Sequence, residues 1–306
     1  HSSMEKFNDK IHESVKILLS DIIDYAGLFP PSKLSMPEAV INYATYKNSN
    51  YNWMLGRFIC PVGRLDEFIE SARDFISRDA KGVWRLSVLA SDDVHDTVRK
   101  VEDFNLKFAP GAVCDSLEIK ADSAEKIAKF AEAIPDSITN YFELPLNNDL
   151  ADLVSAVAVN KQNAKIRTGG ITADLFPDAK EIVRFVRTCL AANVRFKATA
   201  GLHHPMRCFR PLTYEANAPK GTMHGFLNVF LATGFARVGF KPEILEELME
   251  EEFEEVFDFN ETGVNWQGDF SLTNSQLEHL REKNLASFGS CSFDEPIEDL
   301  QKIGLL

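Results

Sequence analysis

The sequence has no apolar run long enough to cross a bilayer, no His-Glu-x-x-His or His-x-His spacing, no Cys-x-x-Cys pair and no low-complexity segment. The first absence excludes a helical membrane span; the next two leave neither a zinc-protease helix nor a zinc ribbon. Five cysteines (Cys60, Cys114, Cys189, Cys208 and Cys291) are odd in number and widely spaced. No disulfide framework is therefore expected, and the cytoplasm is the default compartment. Positive charge is scarce, with 33 Lys and Arg against 46 Asp and Glu, a net charge of −13. That balance works against general affinity for nucleic acid or an anionic membrane, both of which need clustered cations. An anionic substrate must then meet a local basic pocket. His1-Ser2-Ser3 ahead of Met4 reads as a tag remnant, and the polar stretch that follows lacks the apolar core of a signal peptide. Residues 4–306 are read as one domain.

With 45% hydrophobic and 10% aromatic residues, the chain can bury a large core. Short β-branched or aromatic runs alternate with helical patterns: 22–28 then 36–46, 53–61 then 65–77, 83–90 then 92–104, 116–121 then 124–133. The alternation continues through 141–146 then 150–159, 165–170 then 178–191, 195–202 then 223–236, and 286–293 then 296–305. Repeated strand–helix units predict a parallel sheet, and eight of them close a (β/α)8 barrel. The spacing is regular until the seventh strand. About 80 residues then separate it from the eighth, which predicts an insertion at about 203–284 lying outside the barrel or across its mouth. Within it, residues 242–257 carry a helical apolar stripe opposite an acidic face, and 259–270 reads as a hairpin around Glu261-Thr262-Gly263.

In such barrels the carboxyl ends of the strands form the active site, and alternate side chains enter the lumen. On the sixth strand Lys165 and Arg167 share a face, followed by Thr168, Gly169 and Gly170; on the seventh, Lys197 and Thr199 share a face, followed by Gly201. Two inward lysines on adjacent strands would each disfavour the other's charge, so that one amine loses its proton and attacks a carbonyl. Outward lysines snorkelling over helices, or charged lysines binding anions, are the competing readings. Glu118 on the fourth strand and Glu143 on the fifth stand where a buried carboxylate needs a partner or a task. Structural ion pairing with the lysines and Arg167 would satisfy them equally.

After the seventh strand come His203, His204 and Arg207. After the eighth, Gly289, Ser290, Cys291 and Ser292 offer amides and hydroxyls ahead of a helix start, an arrangement suited to phosphate or carboxylate or to a plain tight turn. Cys291 is a nucleophile only if a base adjoins it; otherwise it is a packed side chain.

Taken in order, these strand ends resemble those of deoxyribose-phosphate aldolase and its class I relatives, (β/α)8 enzymes that form a Schiff base with a strand-six lysine. Lys165-Ile166-Arg167-Thr168-Gly169 has the family's spacing on that strand, and Lys197-Ala198-Thr199-Ala200-Gly201 has it on the seventh. The resemblance implies Lys165 as the imine-forming residue, Lys197 as its charged neighbour, Glu118 as proton relay and Glu143 as the group orienting the lysines. It further implies anion binding by the glycines and by Ser290 and Ser292. Arg167 stands where the family has a small residue, His203-His204-Pro205 is added, Cys291 occupies a hydroxyl position, and the insertion has no counterpart. These departures point away from deoxyribose phosphate itself and towards other small anions, such as a 2-oxo acid held by Arg167.

The expectation is therefore a carbon–carbon lyase without cofactor or metal, acting on a small anionic carbonyl compound, with no nucleic-acid or membrane partner; a homo-oligomer is compatible with it. A metal-assisted hydrolase or isomerase using Glu118, Glu143 and His203 or His204, and a non-catalytic binding barrel, are the alternatives. Lys197 is expected to hold the carboxylates and leave Lys165 as a free amine.

Overall fold

The computed structural model describes residues 10–306; the expected tag remnant lies outside the described residues. A first helix, α1 (Glu13–Leu19), precedes β1 (Ile23–Tyr25). Six strand–helix units follow. They are α2 (Met36–Lys47) after β1, β2 (Leu55–Pro61) with α3 (Leu65–Ala72), β3 (Trp84–Leu89) with α4 (Val94–Phe108), β4 (Ala112–Lys120) with α5 (Ala124–Ala133), β5 (Thr139–Glu143) with α6 (Leu150–Val159), and β6 (Asn163–Arg167) with α7 (Ala179–Ala191). Then come β7 (Phe196–Thr199) and, last in the chain, β13 (Leu285–Ser290) with its own closing helix at Asp294–Lys302.

These eight strands are all parallel and close a barrel in the order β1-β13-β7-β6-β5-β4-β3-β2. The chain is a (β/α)8 barrel. Helix starts are set locally by short polar side chains that accept from the first turn: Ser35 from the Glu38 amide, Asp93 from Asp96, Ser123 from Lys126 and Asp178 from Glu181. Along β6, Ala164 and Ile166 are fully buried beneath helices while Lys165 takes the opposite face, into the lumen.

Two separate pieces make up the insertion after β7. A two-stranded arm, β8 (Cys208–Pro211) and β9 (Lys220–Met223), lies at the carboxyl end of the barrel, where β9 meets the turn that follows β6. The barrel helix α8 (Phe226–Arg237) comes next, and ten of its residues in succession are buried. A helix apolar all round must be covered on every side. The cover is α7 and β13, with Phe288 on Phe226 and Phe230, together with α9 (Pro242–Met249), α10 (Asn274–Lys283) and a three-stranded sheet of β10 (Phe257–Phe259), β11 (Gly263–Trp266) and β12 (Phe270–Thr273), with Leu272 packed on Gly234.

Two expectations are corrected here. The helix at 242–257 stops at Met249, because a run of glutamates at a helix carboxyl end opposes the backbone dipole; Asn228 caps the orphaned carbonyls of Leu248 and Glu251 instead. The hairpin forms, with Asn260 Oδ1 accepting from the Thr262 and Gly263 amides, but β12 extends it to three strands.

Candidate active site

Lys165 and Lys197 are direct partners in the β6–β7 ladder. Their side chains enter the lumen, where carboxylates and ammonium groups alternate. Lys197 Nζ donates to Asp24 Oδ2 at 2.7 Å and to Glu118 Oε2 at 3.0 Å. Glu118 turns its other oxygen to Lys165 Nζ at 2.7 Å, and Glu143 Oε1 stands 3.4 Å from the same nitrogen. The sequence of charges is thus Asp24, Lys197, Glu118, Lys165, Glu143. Ser87 Oγ donates to Glu118 Oε2 at 2.6 Å, Ser287 Oγ donates to Asp24 Oδ2 at 2.7 Å, and the Arg57 amide donates to Asp24 Oδ1.

Charge states follow from this packing. Burial alone would raise the Glu118 carboxyl, but Lys165 and Lys197 outweigh it and hold the group well below the usual carboxylate range. Burial likewise works against the Lys197 ammonium, and Asp24 and Glu118 overcome it, so this amine is held charged above its ordinary value. The two lysines are not equivalent. Lys197 has 1% side-chain exposure with carboxylates at 2.7 and 3.0 Å, whereas Lys165 has 7% with carboxylates at 2.7 and 3.4 Å. Lys165 is nevertheless not the free amine expected from the sequence. Glu118 has two oxygens and reaches both lysines, and Asp24 takes up the charge on Lys197 that Glu118 leaves over.

The carboxyl-end residues are spread more widely than the sequence suggested. Phe176 lies over both Gly169 and Gly201, so these glycines make room for a ring and not for an open anion cradle. The φ of +76° at Gly201 is a second reason for glycine there. Thr168 is fully buried and its hydroxyl ties β6 to β7 at the Thr199 and Ala200 carbonyls. Arg167 is exposed, with Nε donating to the Gly169 carbonyl. Thr199 pairs with Gly289 in the ladder. Ser290 and Ser292 bond within their own loop, Ser292 Oγ accepting from the Glu295 amide at the start of α11 (Asp294–Lys302). Arg207 faces Glu252 at 3.5 Å.

The two histidines diverge. His203 Nδ1 stands 3.8 Å from Cys291 Sγ, while His204 sits between Asp299 at 2.6 Å and Glu295 at 3.3 Å. Neither joins Glu118 or Glu143, whose partners are the lysines, so the metal set of the alternative reading, the two carboxylates with either histidine, does not assemble. Among the described residues, His204, Glu295 and Asp299 form the one group of three metal-type ligands. The two ring nitrogens of His204 face one carboxylate each, Nδ1 towards Asp299 and Nε2 towards Glu295.

Asp24, Ser87 and Ser287 were missed from the sequence. Asp24 lies between Ile23 and Tyr25 in a strand buried throughout, the signal that singled out Glu143. The serines carry no such signal, since a lone hydroxyl in a strand is commonplace.

Comparison with protein-family models, curated proteins and solved structures gave no match to this chain. The likeness to class I aldolases therefore rests on the strand-end residues alone.

Proposed function

We propose that the protein is a Schiff-base lyase of the class I aldolase type, with Lys165 forming an imine with a small anionic carbonyl compound. The fold is one that enzymes commonly use, with catalytic groups at the carboxyl ends of the strands. The observation that carries the reading is the unequal lysine pair: Lys197 is held between Asp24 and Glu118 with 1% side-chain exposure, and Lys165 between Glu118 and the more distant Glu143 with 7%.

Lys165 first passes a proton to Glu143 and attacks the carbonyl carbon; the resulting carbinolamine then loses water, taking the proton back from Glu143. The iminium that results carries the charge the ammonium had, so Glu118 and Glu143 stabilise it as they stabilised the resting state. In cleavage the electrons of the carbon–carbon bond pass into that iminium and give an enamine; in synthesis the enamine returns them to the acceptor carbonyl carbon and the iminium re-forms. Arg167, exposed at the end of β6, is suited to an anionic group on the substrate. A metal-assisted reaction has no comparable support, because its residues are dispersed.

The test is reduction with borohydride in the presence of a panel of small aldehydes, ketones and 2-oxo acids, with the modified residue mapped by mass spectrometry. An adduct on Lys165 that vanishes in Lys165→Ala is expected. No adduct with any member of the panel would overturn the reading.

A further inference from the structure

A cavity of about 620 Å³ opens at the amino ends of the barrel strands, opposite the mouth considered so far, and Arg57, Ser116, Tyr141, Arg195, Arg281 and Ser287 are among its lining residues. Two of these side chains lead to the charged lumen. Ser116 Oγ lies 3.2 Å from Ser87 Oγ, which donates to Glu118 at 2.6 Å. Ser87 Oγ is the donor towards both Glu118 Oε2 and Ser116 Oγ, and its single hydroxyl proton serves one of them at a time. Ser287 Oγ donates to Asp24 Oδ2 at 2.7 Å, and that same oxygen accepts from Lys197 at 2.7 Å. On the other side, Phe176 covers Gly169 and Gly201, and the Lys197 side chain is 1% exposed.

We infer that the buried charge chain exchanges protons with water through the amino-terminal cavity, by the Ser116–Ser87–Glu118 and Ser287–Asp24–Lys197 hydroxyl paths. In the first path Lys197 gives a proton to Glu118; Glu118 passes it to Ser87 Oγ as Ser87 gives its own to Ser116 and Ser116 gives its own to cavity water, and a water proton returning along the same line restores the ammonium. In the second, Lys197 gives a proton to Asp24, Asp24 passes it to Ser287 Oγ as Ser287 gives its own to cavity water, and the reverse transfer restores the ammonium. Substrate and protons would reach the lysines from opposite ends of the barrel. This stands on the hydroxyl chain and the cavity, whatever carbonyl compound the mouth accepts.

Isotope-edited NMR of the lysine ammonium protons reads their exchange with water and needs no substrate. The Ser116→Ala, Ser287→Ala double variant is expected to slow exchange at Lys197 about tenfold, the size of one lost hydrogen bond. The Ser116→Thr, Ser287→Thr variant, which keeps both hydroxyls, should restore it. Unchanged exchange in the alanine variant, or acceleration by Phe176→Ala with no effect of the serines, would overturn the inference and place the route at the mouth. Borohydride trapping on Lys165 is scored separately, so failure of the lyase reading leaves this result standing.

Discussion

Asp24 Oδ2 lies 2.7 Å from Lys197 Nζ, and each side chain is 1% exposed. Strands β1 and β7 are not neighbours; both pair with β13, and the contact reaches across that strand beside Ser287. Removing one partner leaves a charge short of compensation where water cannot reach it. Asp24→Ala is expected to destabilise the fold by about 3–5 kcal/mol in urea unfolding at neutral pH, and Lys197→Met by a comparable amount. A cost below about 1 kcal/mol would mean that the pair behaves as a solvated surface bridge.

Stability should fall at both extremes of pH. The folded chain holds Glu118 below its ordinary value of 4.5, so as pH drops below that value the unfolded chain takes up a proton that the folded chain refuses. Lys197 is held above its ordinary 10.5; its contribution is intact below that pH and is lost as pH rises beyond it. Urea unfolding across the pH range should therefore give a neutral plateau with two declining limbs. Glu118→Gln, less stable overall, should show a shallower acid limb. An acid limb of undiminished steepness would assign it to other carboxylates.

The barrel was legible because its repeat is local: each unit announces a strand by β-branched and aromatic residues and a helix by its cap and stripe. Lys165, Lys197, Glu118 and Glu143 could be placed together for the same reason, since strand number and alternation fix their height and direction. What strand order could not convey is which oxygen meets which amine. Glu118 bridges both lysines because its two oxygens diverge, and Asp24 joins the chain only when β1 closes on β13, 263 residues away from Ser287 in sequence. The glycines at the mouth misled for a related reason. A glycine signals close approach, and here the approaching group is Phe176, from a turn whose path the sequence does not fix.

Glu143 is the outermost member of the charge chain, with 17% side-chain exposure and a 3.4 Å contact to Lys165. If it takes the lysine proton, Glu143→Gln should slow borohydride trapping on Lys165 about a hundredfold, within the range for a positioned acid–base group. Its exposure means that little stability should be lost. Equal trapping rates in Glu143→Gln and the parent would move the proton transfer to Glu118.

Cysteine reactivity provides a check on the carboxyl end of the barrel. Burial pushes the Cys60 thiol up to about 12 and raises Cys114, Cys189 and the half-buried Cys208 as well. Cys291 is also buried, which would raise it, but His203 at 3.8 Å, together with Ser32 and Tyr214, outweighs burial and lowers it. The thiolate is the reactive form, so limited iodoacetamide at mildly alkaline pH should mark Cys291 ahead of Cys60, Cys114 and Cys189, despite its 5% exposure. His203→Gln removes the imidazole whose hydrogen bond lowers the Cys291 thiol and should slow labelling of Cys291 about tenfold. Peptide mapping over a time course reads the order directly. Labelling of Cys208 before Cys291, or a Cys291 rate untouched by His203→Gln, would show that access and not the imidazole governs this thiol.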